Sequence, residues 1–548
     1  MWKWRWVFLM NAYLISPVVV YELRNGGKPD KGALFAMAAS VLWLALVQLL
    51  SRRIWLTHAL MFPLYVVTGI DLYVIFNYQT RLLTPTMMMI IAGNMEDARS
   101  FLSTDLTQVI VSAVAVLGGY AYALWRVRNL KVTIPRAAAI VPALALVVVY
   151  AGVFRYFGSW PVVLLHDQNS PFGIVPQAYL TESLHQQEVE AGERSKNFRF
   201  GAVRPAAPEQ PEVYVLVVGE SARRHNWSLY GYPRETNPRL AKTENVVVFR
   251  DVIAQVAQTQ VSVPLILTRG MIEEPGKRAA ERSIVSLFHE VGFHTYWLST
   301  QQREIAMAAI SRYANEADVE RFFERRHDVV LADTVNEILD KNDPADKKTF
   351  FLLHSLGSHF NLSSRYPREF AKFPDGADSL LSGTSAGLTH EELIGAYDNT
   401  ILYTDYFLSQ LIDVLKKRAG VTAVMYIPDH GDNLRDDSRG LFGHAHSNEY
   451  DLPIPMLFWY SDAYAQRYPD RVEAARRNAD LRMNTRSVFY SMTDMAGVTL
   501  QDPDLANLSV FSPTFTSPKR MVLGQNKVFD FDVDGPKPFA SAMTGSSK

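Results

Sequence analysis

Four side chains able to hold a divalent cation stand just beyond runs of apolar residues: Glu220, His359 and the adjacent pair Asp429-His430. Carboxylates and imidazoles are the oxygen and nitrogen donors that zinc takes. Each has an ordinary alternative. Glu220 could cap a helix, and His359 could be a hydrogen-bonded loop histidine. The Asp-His pair is more specific, since two polar groups buried without partners cost on the order of several kcal/mol. Hydroxyls for nucleophilic attack occur in Ala257-Gln258-Thr259-Gln260-Val261-Ser262-Val263-Pro264. A metal-bound hydroxyl loses its proton more readily, and a helix N-terminus would favour a phosphate placed on it. By pattern alone, Thr259 or Ser262 is equally an ordinary N-cap.

The elements that must position these groups are legible. Val213 to Val218 is a short apolar run rich in β-branched residues, the signature of a central strand buried on both faces, and it ends at Gly219-Glu220-Ser221. Val421 to Ile427 is a second such run, ending at Pro428-Asp429-His430-Gly431-Asp432. Phe350 to Leu353 is a third, leading to His354 and His359. Helical patterns lie between them, as at Tyr397 to Lys417, which gives the alternation of an α/β fold. In such sheets, function gathers beyond the carboxyl ends of the strands. Convergence of three strand ends on one edge is the strongest argument for a site.

The first part of the chain has a different character. Five apolar stretches are each long enough to cross a bilayer: Trp6–Leu23, Ala33–Leu50, Ile54–Phe76, Thr107–Trp125 and Ala137–Phe157. The first lacks the small-residue cleavage site of a signal peptide and has four successors. Arg126, Arg128, Lys131 and Arg136, the Ser51-Arg52-Arg53 turn, and Lys3 with Arg5 fall on one side if the chain starts in the cytoplasm. The residues after Phe157 then lie outside. The first outer loop also carries basic residues, Arg24, Lys28 and Lys31. Between spans three and four, Asn94-Met95-Glu96-Asp97-Ala98 could face a lipid head group or be a solvated helix start.

Residues 159–210 mix aromatics with charge and read as interfacial linker helices, closing on Ala206-Ala207-Pro208-Glu209-Gln210-Pro211. The expected organisation is therefore a transmembrane domain over 1–158, this linker, and a catalytic domain over 211–548. A formal net charge of −1 gives no basic bias toward nucleic acid, and the absence of cysteine excludes disulfides and thiolate chemistry.

The string from Val217-Val218-Gly219-Glu220-Ser221-Ala222-Arg223 through Asn226, Leu229-Tyr230-Gly231-Tyr232 and Thr236-Asn237-Pro238-Arg239-Leu240 resembles the phosphoethanolamine transferases of the sulfatase/alkaline phosphatase superfamily. Ser358-His359, Arg365-Tyr366-Pro367, Tyr397 to Tyr406 and Asp429-His430-Gly431-Asp432 continue the match in order. The resemblance implies an alkaline-phosphatase-like domain with a mainly parallel sheet, outside the inner membrane in the periplasm. It implies a zinc ion held by Glu220, Thr259, Asp429 and His430, with Thr259 taking phosphoethanolamine covalently from phosphatidylethanolamine. His359 and His444 would bind the phosphate or a second zinc, with His446 close enough to compete with His444. Asn94 and Asp97 match positions that touch substrate, Asp97 standing where the family usually has Glu. The implied acceptor is lipopolysaccharide, at lipid A or core, or another envelope glycan.

Two departures stand out. Many relatives carry the nucleophile between disulfide-bonded cysteines, whereas Ala254 to Leu265 has none. Tyr296-Trp297-Leu298-Ser299-Thr300-Gln301 looks closer to members acting on envelope glycolipids other than lipid A. The competing readings are a glycerol-phosphate transferase of the lipoteichoic-acid synthase type and a non-catalytic lipid-binding relative. A sulfatase fits less, since no Cys/Ser-x-Pro-x-Arg motif is suitably placed.

Overall fold

The computed structural model describes residues 4–24, 31–51, 53–78, 106–132, 134–157, 186, 190–205, 209–274, 280–301, 308–323, 326–341, 348–359, 362–376, 388–524 and 527–535. The chain divides into two compact units, Met1–Gln186 and Gln187–Lys548. Asn94 and Asp97 lie outside the described residues.

In the first unit each apolar stretch is helical. The helices are Trp4–Arg24, Lys31–Ser51, Ile54–Leu60, Phe62–Tyr78, Leu106–Val127 and Ile140–Phe157, the last entered through a 3-10 turn at Arg136–Ala139. The single third span expected over Ile54–Phe76 is two helices, bent by 59°. Pro63 explains the break, because it lacks an N–H and its ring clashes with the carbonyl four residues back. Among the described residues, Ile110–Val127 alone has the length and hydropathy of a span, and the bent pair does so taken as one; Met37–Ser51 and Arg136–Gly152 are shorter apolar helices. The unit exposes many apolar side chains and buries several polar ones beside its apolar core. Phe8, Val114, Val141 and Val148 are exposed, while His58, Gln48 and Thr57 are buried. Gln48 donates to Asn11 Oδ1 at 2.8 Å, and His58 Nδ1 lies 2.8 Å from the Tyr65 hydroxyl. Exposed apolar side chains and internally paired polar ones suit a lipid surround, where polar groups must find partners within the protein.

The second unit is built on an eight-stranded sheet in the order β10-β2-β9-β6-β1-β5-β3-β4. Its strands are β1 Glu212–Gly219, β2 Val246–Ile253, β3 His294–Ser299, β4 Val319–Phe322, β5 Lys348–His354, β6 Val421–Pro428, β9 Pro453–Tyr460 and β10 Arg482–Asn484. Two small hairpins, β7 Asn433–Leu434 with β8 Phe442–Gly443 and β11 Met521–Leu523 with β12 Val528–Asp530, stand apart from it. β6, β1, β5, β3 and β4 pair in parallel, as β10 does with β2; β9 runs antiparallel to both its neighbours. The sheet is thus mixed and mainly parallel.

β1 alternates between two cores. Tyr214, Leu216 and Val218 pack on one face with helices Thr259–Leu267, Ile284–Glu290 and Ser487–Met495. Val213, Val215 and Val217 pack on the other with His390–Lys416 and Val329–Lys341. Burial on both faces explains the unbroken apolar run. Register then sets the site: Val218 aligns with His354 and Gly219 with Pro428, so three strands end in one layer. Gly219 lets this edge close, since a Cβ there would stand 2.7 Å from the Tyr426 hydroxyl.

Candidate metal centre

The chain leaves β1 at Glu220, which is fully buried. Four groups engage its carboxylate. The Ser221 hydroxyl donates to Oε1 at 2.9 Å, and Gln301 Nε2 donates to Oε2 at 3.0 Å. The Thr259 hydroxyl lies 3.2 Å from Oε1, and His430 Nε2 lies 3.6 Å from the same oxygen. Thr259 opens the helix Thr259–Leu267, and its Oγ1 is also 3.2 Å from His430 Nε2. Ser262, one turn on, donates instead to the Asp429 carbonyl at 2.6 Å. Geometry therefore separates the two hydroxyls: Thr259 faces the carboxylate and imidazole, and Ser262 braces the backbone.

Asp429 and His430 leave β6 directly. Asp429 Oδ1 accepts the Ser221 and His430 N–H groups at 3.0 and 2.8 Å. Its other oxygen, Oδ2, is buried with no hydrogen-bond partner among the described residues and lies 3.2 Å from His430 Nε2. His430 Nδ1 is 2.9 Å from the Gly431 carbonyl, which can only accept. The ring proton is therefore on Nδ1 and the Nε2 lone pair faces the carboxylates, the tautomer a metal-binding histidine needs.

The electrostatics suit a bound cation. Burial, then the Asp429 charge, pushes the Glu220 carboxyl well above its ordinary range. Burial also raises Asp429 and lowers His430 to about 3. Donor atoms of Glu220, Asp429 and His430 lie within 4.8 Å of one another. An orphaned carboxylate oxygen, a second buried carboxylate and a neutral imidazole with its lone pair inward fit a zinc-type ion.

A second set, His430, Asp432 and His444, also has donors within 4.8 Å of one another. His444 Nδ1 lies 3.2 Å from Asp432 Oδ1, and its ring centroid is 4.3 Å from that of His430. Burial opposes protonation of His444, but the Asp432 carboxylate outweighs it and the group titrates above its ordinary value. His446 turns its Nε2 to the Phe442 carbonyl at 3.1 Å, and burial lowers it to about 4. His359 follows β5 on the loop Ser355–Ser358, which is sewn to the centre: Ser355 N donates to Val218 O at 3.0 Å and Ser358 N to Glu220 O at 2.9 Å. Gly357, at φ 49°, permits that approach, since a Cβ would stand 2.6 Å from Glu220 O. Desolvation, then the charges of Arg365, His444 and His430, hold His359 well below its ordinary value.

Gln301, Ser221 and Asp432 join the centre without having been singled out from sequence. Gln301 had a signal, as a polar residue just past the end of β3. Asp432 had one in the Asp-His-Gly-Asp string.

The family model described as Sulfatase matches residues 212–498. The phosphoethanolamine transferase EptC of Escherichia coli (strain K12) is 28% identical over 343 residues, covering 59% of this chain and 58% of that protein. The chain therefore matches less than two thirds of that relative's length. The crystal structure of the C-terminal periplasmic domain of EcEptC from Escherichia coli, in complex with Zn, superposes with a TM-score of 0.54 at 26% identity, covering 62% of this chain and 97% of that one. The integral membrane protein lipooligosaccharide phosphoethanolamine transferase A (EptA) from Neisseria meningitidis gives a TM-score of 0.71 at 19% identity, covering 93% of this chain and 97% of that one. At that identity the likeness is one of fold, and it extends over both units. The resemblance read in the motifs is borne out.

Proposed function

The chain belongs to the sulfatase family, and within it we propose a zinc-dependent phosphoethanolamine transferase of the inner membrane. The donor is phosphatidylethanolamine and the acceptor an envelope glycolipid or glycan, lipopolysaccharide lipid A or core. The observation that carries this reading is the position of Thr259. Its hydroxyl begins a helix and stands 3.2 Å from both a buried carboxylate and the His430 Nε2 lone pair.

Glu220, Thr259, Asp429 and His430 would hold the ion. Bound there, zinc would supply Lewis acidity and lower the pKa of an oxygen it touches. The Thr259 oxygen attacks the donor phosphorus, its proton leaves toward Glu220, and the bond to the glycerol oxygen breaks. The departing oxygen takes a proton and leaves as diacylglycerol. His444, held by Asp432, and His359 donate to phosphate oxygens or to that leaving group. The helix N-terminus favours the anionic group carried on Thr259. An acceptor hydroxyl or phosphate then attacks phosphorus and frees Thr259, giving ping-pong kinetics.

A lipid donor accounts for the helical unit. In this reading its helices form five spans over residues 1–158, and residues 159–210 link them to a periplasmic catalytic domain over 211–548. Asn94 and Asp97 would meet the lipid head group, and His446 would stand beside the phosphate subsite. The test is donor choice. Full-length protein in mixed micelles should release diacylglycerol from phosphatidylethanolamine in a zinc-dependent manner. Preference for phosphatidylglycerol would replace this reading with that of a glycerol-phosphate transferase.

A further inference from the structure

The loop that delivers Thr259, Ala254–Gln258, is buried up to Ala257 and has no disulfide to fix it. Its hydrogen bonds show what fixes it instead. Ala254 N donates to Leu452 O at 2.8 Å, and the Thr485 hydroxyl lies 3.2 Å from Gln255 Oε1. Gln255 O accepts from Leu523 N at 2.9 Å, and Ala257 O accepts from Ala445 N at 3.0 Å. Leu523 belongs to β11, in the C-terminal hairpin beyond the residues matched by the family model. Its carbonyl accepts the Ser447 hydroxyl at 3.2 Å.

One residue therefore bonds both loops, through its N–H to the loop before Thr259 and through its C=O to the loop after His444. The second loop needs such ties. Ala445 and Ser447 sit at φ 69° and 54°, a left-handed conformation that non-glycine residues hold only when their surroundings impose it. The Asp451 carboxylate imposes part of it, accepting from the His446, Ser447 and Asn448 N–H groups at 2.8, 3.0 and 2.7 Å. Leu523 and Ala257 add to it. The hairpin is itself anchored. Val522 is fully buried in a small cluster with Ile253, Ala257 and Leu452, and Arg520 pairs with Asp532 and with Asp251, the latter at 2.6 Å.

We propose that the C-terminal hairpin β11–β12 is a positioning element of the metal centre, in which Leu523 couples the loop carrying Thr259 to the loop carrying His444. Hydrogen bonds of this kind differ in protein only modestly from those made to water, so the coupling acts through geometry and not through a large stability term. The inference places Val522, Leu523 and Ser447 as positioning residues and rests on the proposed function only for its effect on turnover.

The test uses the full-length protein in detergent with zinc, comparing wild type with Val522→Ala and Ser447→Ala. Amide hydrogen exchange is the first readout. In Val522→Ala, exchange should quicken about tenfold or more in both 254–258 and 444–448, while β1 stays protected. Exchange that quickens in the hairpin alone, with both loops still protected, overturns the proposal. Adduct formation on Thr259 is the second readout. Each variant should slow it about tenfold at unchanged donor KM, and the double variant should be no slower than the worse single one. Additive losses would mean that the residues act separately and would refute the coupling. If wild type forms no adduct with phosphatidylethanolamine, the donor assignment falls while the exchange result still decides the role of the hairpin.

Discussion

Replacing Gln301 by methionine removes a hydrogen bond to the metal centre at nearly constant side-chain volume. Gln301 is buried, and its amide donates to Glu220 Oε2 at 3.0 Å and to the Ser355 carbonyl at 3.3 Å. The first bond favours the ionised, oriented form of Glu220, the form a cation requires. A hydrogen bond to a charged group contributes about 1.5 to 3 kcal/mol. Part of that is retained without metal, when a protonated or reoriented Glu220 needs the donor less. The difference predicts zinc affinity lowered by roughly 10 to 100-fold, the range seen when groups behind metal ligands are removed. Methionine cannot donate, so Glu220 Oε2 keeps only the Thr259 hydroxyl, 3.4 Å away. Competition against a chromophoric chelator of known affinity, with the full-length protein in detergent, measures the change directly. Zinc affinity within twofold of wild type, in a variant that melts like wild type without metal, would refute this account of how Glu220 is held.

Other outcomes follow from the same geometry. Thr259→Ser keeps the oxygen and should retain slowed transfer, whereas Thr259→Ala should abolish it without loss of fold; single-turnover assays with melting curves separate the two. A chelator should lower the melting temperature of wild type and zinc restore it, since Glu220 and Asp429 are buried beside each other and repel; an unchanged melting curve would argue against a resident ion. Arg204 and Glu212 form a buried ion pair. Arg204→Ala, by stranding Glu212, should cost about 3 to 5 kcal/mol in denaturant unfolding, while Arg204→Met with Glu212→Leu should cost far less. Burial raises Asp405 to about 6. Its folded form then holds a proton that the unfolded chain has lost, so its contribution to stability falls as pH rises from about 4 to 6. Asp405→Asn should gain on wild type by about 2 to 3 kcal/mol across that window.

The sequence carried the centre of the sheet well because β1, β5 and β6 are buried on both faces, and only unbroken apolar runs can be so. Their ends then located Glu220, Asp429 and His430. β9 gives no such guidance on direction: Pro453–Tyr460 is as apolar as β1, yet it runs antiparallel to its neighbours. Direction depends on connections around a whole layer and not on local pattern. Local pattern left Thr259 and Ser262 open and only the family resemblance chose Thr259, since one helical turn decides which hydroxyl meets the carboxylate and which meets a carbonyl. His444 and His446 differ in the same way, one turned to Asp432 and the other to a backbone oxygen. The bend after Leu60 was readable in principle from Pro63. Gln301 was marked only as a polar residue just past the end of β3, and Leu523 not at all, because each acts on residues far away in the chain.

The central claim is that Thr259 carries the transferred group, and intact-protein mass spectrometry tests it most directly. Wild type and Thr259→Ala, each loaded with zinc, would be mixed with phosphatidylethanolamine without acceptor and rapidly quenched. A mass increase of one phosphoethanolamine is expected on wild type only, mapped by fragmentation to Thr259. An equal increase on Thr259→Ala would contradict it.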